Sequence, residues 1–96
     1  MPLLFEWEVI KANLNFKKHK VSFEEAKTVF HDPLGNVFFD EDHSPKEDRE
    51  FIVGYSRQNR LLFVSFTERK PDVVRIISAR KATKLERRAH EENQSK

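Results

Sequence analysis

The chain has 96 residues, nine phenylalanines, no cysteine and a formal net charge of +2. That length points to one domain with a modest core, and the lack of cysteine excludes a disulfide framework, a thiolate metal site and a cysteine nucleophile. No apolar run approaches the roughly 20 residues of a membrane-spanning helix, and no signal-peptide pattern opens the sequence, so a soluble, cytoplasmic protein is expected.

Pro2 to Glu6 reads as a short strand. Trp7 to Lys18 reads as an amphipathic helix, with Trp7, Ile10 and Leu14 at helical spacing as its apolar stripe and His19-Lys20 closing it. Ser22 with Glu25 fits a capping box, and Phe23, Ala26 and Phe30 give the second helix its buried side; Asp32-Pro33 stops it. Leu34 to Asp40 reads as a strand, and Glu41 to Asp48, with Pro45, as an acidic loop. Phe51, Val53 and Tyr55 alternate along a strand from Glu50 to Ser56, whereas Leu61-Leu62-Phe63-Val64 is apolar throughout and suits a central strand. Arg57 to Arg60 is the turn between them. After a turn at Lys70 to Asp72, Val73, Val74, Ile76 and Ile77 form a β-branched strand. Ser78 to Lys81 is a crossover, and Thr83 with Glu86 caps a last helix whose stripe is only Leu85 and Ala89. Beyond about residue 92 the chain is a polar tail. The expected fold class is α+β, in the order β-α-α-β-β-β-β-α: a single domain over residues 1–96 with an antiparallel sheet and helices packed on one face.

Charge is unevenly spread. Ile10 to Lys20 carries Lys11, Lys17, Lys18 and Lys20 and no acid; Glu68 to His90 carries eight Lys or Arg against three acids; Asp40 to Glu50 carries six acids against Lys46 and Arg49. A surface polarised in this way can take a polyanion on one side.

Several stretches, taken together, resemble one family. Phe5-Glu6-Trp7-Glu8, Lys11, Asn13, Lys18-His19, Val21-Ser22-Phe23 and Glu25-Ala26 are similar to the opening motif of the BrnT-type toxins. So are Phe30-His31-Asp32-Pro33-Leu34, Asp42-His43-Ser44, Glu47, Arg49 and Thr67-Glu68-Arg69 in the middle, and the run from Arg75 to Arg88 at the end. One departure is the turn Lys70-Pro71-Asp72, where a shorter glycine turn is the family's habit. The resemblance implies a RelE-like toxin fold and a type II toxin–antitoxin ribonuclease that cuts RNA without a metal and inhibits translation. It also implies a cognate BrnA-like antitoxin, joined with the toxin in a higher-order complex that binds operator DNA through the antitoxin. The other reading of the basic face is a non-catalytic module that binds RNA or protein.

Metal-free RNA cleavage needs a base for the 2′-hydroxyl, cations for the charged phosphorane and an acid for the leaving oxygen. The planar fork of arginine suits the second task. Arg69, Arg75 and Arg80 are the candidates, with Arg75 also readable as a half-buried structural residue. Alternation puts Arg80 on the strand face opposite Arg75. Imidazole as a residue type suits proton transfer near neutrality and Glu68 is flanked by Thr67 and Arg69, so His19 or Glu68 could move protons; helix capping is the structural reading of His19, and a salt-bridged turn beside Glu68 that of Arg69. The catalytic set is therefore His19, Glu68, Arg69 and Arg80, and the RNA-binding set Lys17, Lys18, Arg75 and Lys81. His31 closes a helix, His90 is expected to face solvent, and Tyr55 reads as packing. Asp40-Glu41-Asp42-His43 has metal-ligand types but no second half at convincing spacing, so no metal and no cofactor is expected.

Overall fold

The computed structural model describes residues 3–39 and 49–94; the acidic loop, with its Asp40 to His43 ligand types, lies outside the described residues. The elements are β1 (Leu4–Glu6), α1 (Val9–His19), α2 (Phe23–Thr28) with a single 3-10 turn over Val29–His31, β2 (Asn36–Phe39), β3 (Glu50–Tyr55), β4 (Leu61–Lys70), β5 (Val73–Lys81) and α3 (Lys84–Gln94). They follow the expected α+β order. Several boundaries differ from expectation: α1 starts at Val9 rather than Trp7, β2 at Asn36 rather than Leu34, β4 runs on to Lys70, Ser78 to Lys81 extends β5 rather than leaving it, and α3 continues past residue 92.

The sheet runs β1-β5-β4-β3-β2. Strands β2 to β5 form an antiparallel meander, and β1 joins β5 in parallel, with Phe5 opposite Val74 and Glu6 opposite Arg75. One face is the core. Val21, Phe23, Ala26 and Val29 pack there on Ile52, Leu62, Val64, Phe66, Val74, Ile76 and Ala79. Each fully buried Leu, Ile or Phe is worth about 1.5–3 kcal/mol over leaving it wet. Phe30 bridges the layers, its ring 5.2 Å from Phe5 and 4.9 Å from Phe66.

Helix α2 forms as its sequence dictates: the Ser22 hydroxyl accepts the Glu25 N–H at 3.0 Å. Helix α1 does not present its expected stripe. Ile10 and Leu14 are 66% and 60% exposed, and the buried residue is Asn15. The reason lies at the edge of β5. Strand β1 ends at Glu6, so Ala79 further along has no strand partner on that side. Asn15 supplies one: its amide donates to the Ala79 carbonyl at 2.8 Å and accepts the Ala79 N–H at 3.1 Å. Satisfying two buried backbone groups outweighs burying two aliphatic side chains that water can reach cheaply.

Helices α1 and α2 share the core side, as expected, but α3 crosses to the other side of the sheet. There Phe51 lies 5.5 Å from Phe38 and 4.7 Å from Phe63. With Leu85 76% exposed, α3 docks through polar groups instead of its thin stripe. His90 is buried, against expectation; its Nδ1 lies 3.1 Å from the Asn36 amide and its ring 6.0 Å from that of Tyr55. The turn between β4 and β5 manages without glycine because Asp72 takes the left-handed conformation, φ 67°, which Asp tolerates better than most residues.

Candidate active site

Directly paired residues share a sheet face, so the register sets the site. Thr67 faces Arg75, and Phe63 faces Arg80. Along β4 the residues Phe63, Ser65, Thr67 and Arg69 alternate onto the face that carries α3. Arg75 and Arg80 therefore lie on the same face, contrary to the alternation expected from sequence. A register shift between Ser65 and Phe66 leaves Ile77 without a counterpart, and one extra residue reverses the parity of everything after it.

At one end of this face, Lys11, Arg49, Thr67, Arg69, Arg75 and Ile77 enclose a hollow of about 210 Å³. Its cations come from α1, the residue before β3, β4 and β5. Lys11 reaches the hollow because it sits one helical turn before Asn15, the residue that ties α1 to β5. No carboxylate lines the hollow among the described residues. Gathered positive charge with a hydroxyl at its wall favours an anion. Among the described residues Glu6 lies beside it, 3.8 Å from Arg75, with the two side chains 46% and 35% exposed. An exposed pair of that length contributes roughly 0–1 kcal/mol, so Arg75 can exchange it for a phosphate at little loss.

Arg80 is arranged differently. Its two terminal nitrogens donate to Glu86 at 2.8 and 2.9 Å, and the guanidinium lies 4.3 Å over the Phe63 ring. The same carboxylate accepts the Thr83 N–H at 2.8 Å, while the Thr83 hydroxyl accepts the Glu86 N–H at 3.1 Å. The expected capping box thus turns Glu86 back onto β5. Hydrogen bonding to Glu86 raises the Arg80 pKa, and Arg80 holds that of Glu86 below the usual carboxylate value. Arg80 is not among the residues that line the cationic hollow.

Of the other residues named from sequence, Glu68 is exposed and alternation turns it away from Thr67 and Arg69. His19 is half-buried at the end of α1. Lys17 and Lys18 are exposed on α1, and Lys81, opposite Leu62, faces the α2 side. The structure brings together Arg69 and Arg75 and adds Lys11, Arg49 and Glu6, which sequence reasoning left out of the site. Each of the three stood within a recognised motif, but only the path of α1 and the parallel pairing of β1 place them together.

Residues 7–86 match a family described as "Ribonuclease toxin, BrnT, of type II toxin-antitoxin system". Among solved structures, the crystal structure of the Brucella abortus ribonuclease toxin BrnT superimposes with a TM-score of 0.65 at 21% identity, over 88% of this chain and 99% of that one. No curated protein matches.

Proposed function

The chain belongs to the BrnT family of type II toxin–antitoxin ribonuclease toxins, and on that premise we propose that the hollow of Lys11, Arg49, Arg69 and Arg75 holds the scissile phosphate of an RNA strand. The observation that carries this reading is the meeting of four cations from separate segments in one hollow, with no lining acid among the described residues. The 2′-oxygen attacks phosphorus and gives up its proton to a base. The bond to the 5′-oxygen breaks, and that oxygen takes a proton. The products are a 2′,3′-cyclic phosphate and a 5′-hydroxyl. The arginines neutralise the charge that builds on the non-bridging oxygens, an effect commonly worth 10²–10³ in rate for one well-placed donor.

Glu6, beside Arg75, is the carboxylate we assign as base; Glu68 and His19 are the alternatives, and substitution separates the three. Arg80 acts as a positioning residue that holds α3 through Glu86. Lys18, on the flank of α1 that carries Lys11, meets a flanking phosphate, whereas Lys17 and Lys81 turn away from the RNA strand. The protein acts in the cytoplasm, where cutting transcripts inhibits translation. A BrnA-like antitoxin silences it and carries the complex to operator DNA.

The test is incubation of purified protein with RNA in EDTA, followed by analysis of the fragment ends. Fragments ending in 2′,3′-cyclic phosphate, with loss of cutting in Arg75→Ala and Arg69→Ala, are expected. If both variants fold and cut like the parent, the hollow is not the active site. If RNA binds and is never cut, the protein is the non-catalytic binding module.

A further inference from the structure

Helix α1 buries one residue, Asn15, and leaves its large apolar side chains in water: Val9 and Phe16 are 68% and 49% exposed, and Ile10 and Leu14 are exposed with them. Solvent-facing positions of a helix are ordinarily polar. Four such side chains on one helix make a patch of the kind that marks a surface kept for a partner.

The patch has two parts. With Asn15 turned inward, Ile10 and Leu14, four residues apart, form a ridge on the outer side. Val9 and Phe16 lie on the flank nearer α2, where they line a groove of about 310 Å³ with Trp7, Ala12 and Phe23. Phe23 belongs to the core and gives the groove a fixed floor, its ring 5.9 Å from that of Trp7.

Charge selects the occupant. Val9 to Lys20 carries Lys11, Lys17, Lys18 and Lys20, all exposed, and no acid. The acid at the groove's rim, Glu24, is paired with Lys27 at 3.0 Å. Two copies of this chain meeting through α1 would bring like charges together. The chain's own acidic stretch, Asp40 to Glu50, holds no Val, Ile, Leu, Met, Phe, Trp or Tyr to enter the groove. A bilayer surface suits a basic amphipathic helix but leaves a concave groove unfilled. A protein helix with apolar residues at three- and four-residue intervals, and acids beside them, fills the groove, covers the ridge and meets the lysines.

We propose that this face of α1 docks an acidic amphipathic helix of the antitoxin. The proposal rests on the reading of the chain as a toxin held by a protein antitoxin, and adds where the two meet and through what chemistry. A helix seated there also engages Lys18, so an RNA strand leaving the cationic hollow past Lys11 loses its next contact.

The test is calorimetric titration of the purified full chain with its full-length antitoxin. The double variant Ile10→Ala, Leu14→Ala should bind about a hundredfold more weakly, roughly tenfold for each anchor lost. Its RNA cleavage without antitoxin should match the parent's, since neither side chain lines the cationic hollow or belongs to the core. Lys17→Glu, a second variant on the outer side, should slow association and flatten its dependence on salt. An antitoxin bound equally well by the parent and both variants would overturn the surface and leave the toxin reading standing. An antitoxin that does not bind the parent would overturn the partner reading and the surface with it. With antitoxin binding unchanged, phosphatidylglycerol vesicles that hold the parent and release the double variant would give this face to a membrane. A parent dimer that the double variant cannot form would give it to a second copy.

Discussion

The side-chain amide of Asn15 completes the free edge of β5 at Ala79, accepting its N–H and donating to its carbonyl, and a third bond from the same amide reaches the Val21 carbonyl at 2.9 Å. One buried side chain thus fixes α1 against the sheet and the start of α2 against α1. It also sets the rotation of α1, and with it the delivery of Lys11 to the cationic hollow.

Asn15→Ala should therefore be among the most destabilising substitutions in α1. It leaves the Ala79 N–H and carbonyl buried without partners, at about 1–3 kcal/mol for each group. A loss of about 2–4 kcal/mol would lower Tm by roughly 10–25 °C in a domain of this size. Thermal unfolding measures it, and Leu14→Ala, at an exposed position, is the control expected to change stability by no more than about 0.5 kcal/mol.

Arg80 and Glu86 should behave as one unit. Removing either partner frees α3 from β5, so Arg80→Ala and Glu86→Ala should each cost about 1–3 kcal/mol and reduce helical signal alike. Cleavage should fall by the same modest factor in both. A phosphate contact made by Arg80 itself would show as a loss in Arg80→Ala that Glu86→Ala does not reproduce, and kinetics on the folded fractions would reveal it.

Acid should destabilise the protein through Glu25 and Glu86. The buried Glu25 carboxylate accepts from Arg60 Nε at 2.8 Å, from Arg60 Nη2 and from Ser56. Arg60 depresses its pKa first and foremost, and Arg80 does the same to Glu86, both from 4.5. A carboxylate whose folded pKa lies below its unfolded value stabilises fully above the unfolded value and loses that contribution as pH falls through the folded one. Urea unfolding should therefore show a plateau above about pH 4.5 and a decline below it. Glu25→Gln, which strands Arg60, should be weaker by about 3 kcal/mol near neutrality and should show a shallower acid decline. An unchanged decline would mean that other carboxylates govern it.

The elements themselves were legible because their local signals agree: the Ser22 and Thr83 hydroxyls each accept the N–H three residues on, and the β-branched and apolar runs form strands where expected. The orientation of α1 was not legible, since Ile10 and Leu14 form the better apolar stripe and only the vacant edge at Ala79 makes Asn15 the stronger anchor. The bulge at Ile77 was equally hidden. Nothing in Val73 to Lys81 marks an extra residue, yet it decides that Arg75 and Arg80 share a face. The cationic hollow was half legible. Arg69 and Arg75 were named for their chemistry, while Lys11 and Glu6 depend on pairings distant in sequence.

The rotation of α1 also separates its two adjacent lysines. With Asn15 turned inward, Lys11, Leu14 and Lys18 follow at three- and four-residue intervals on the flank that borders the hollow, whereas Lys17 is rotated about 100° from Lys18, to the outer side. A strand seated at Arg69 and Arg75 and leaving past Lys11 would meet Lys18 next. Lys18→Ala should weaken RNA binding and lower the steepness of its salt dependence by about 0.7, the share of one phosphate contact on a single strand. Lys17→Ala should change neither. Both side chains are exposed, so neither substitution disturbs folding, and fluorescence anisotropy with a 2′-O-methyl oligoribonucleotide across a salt series gives both quantities. Equal losses at the two positions would mean that RNA crosses the outer surface of α1 and not the flank beside the hollow.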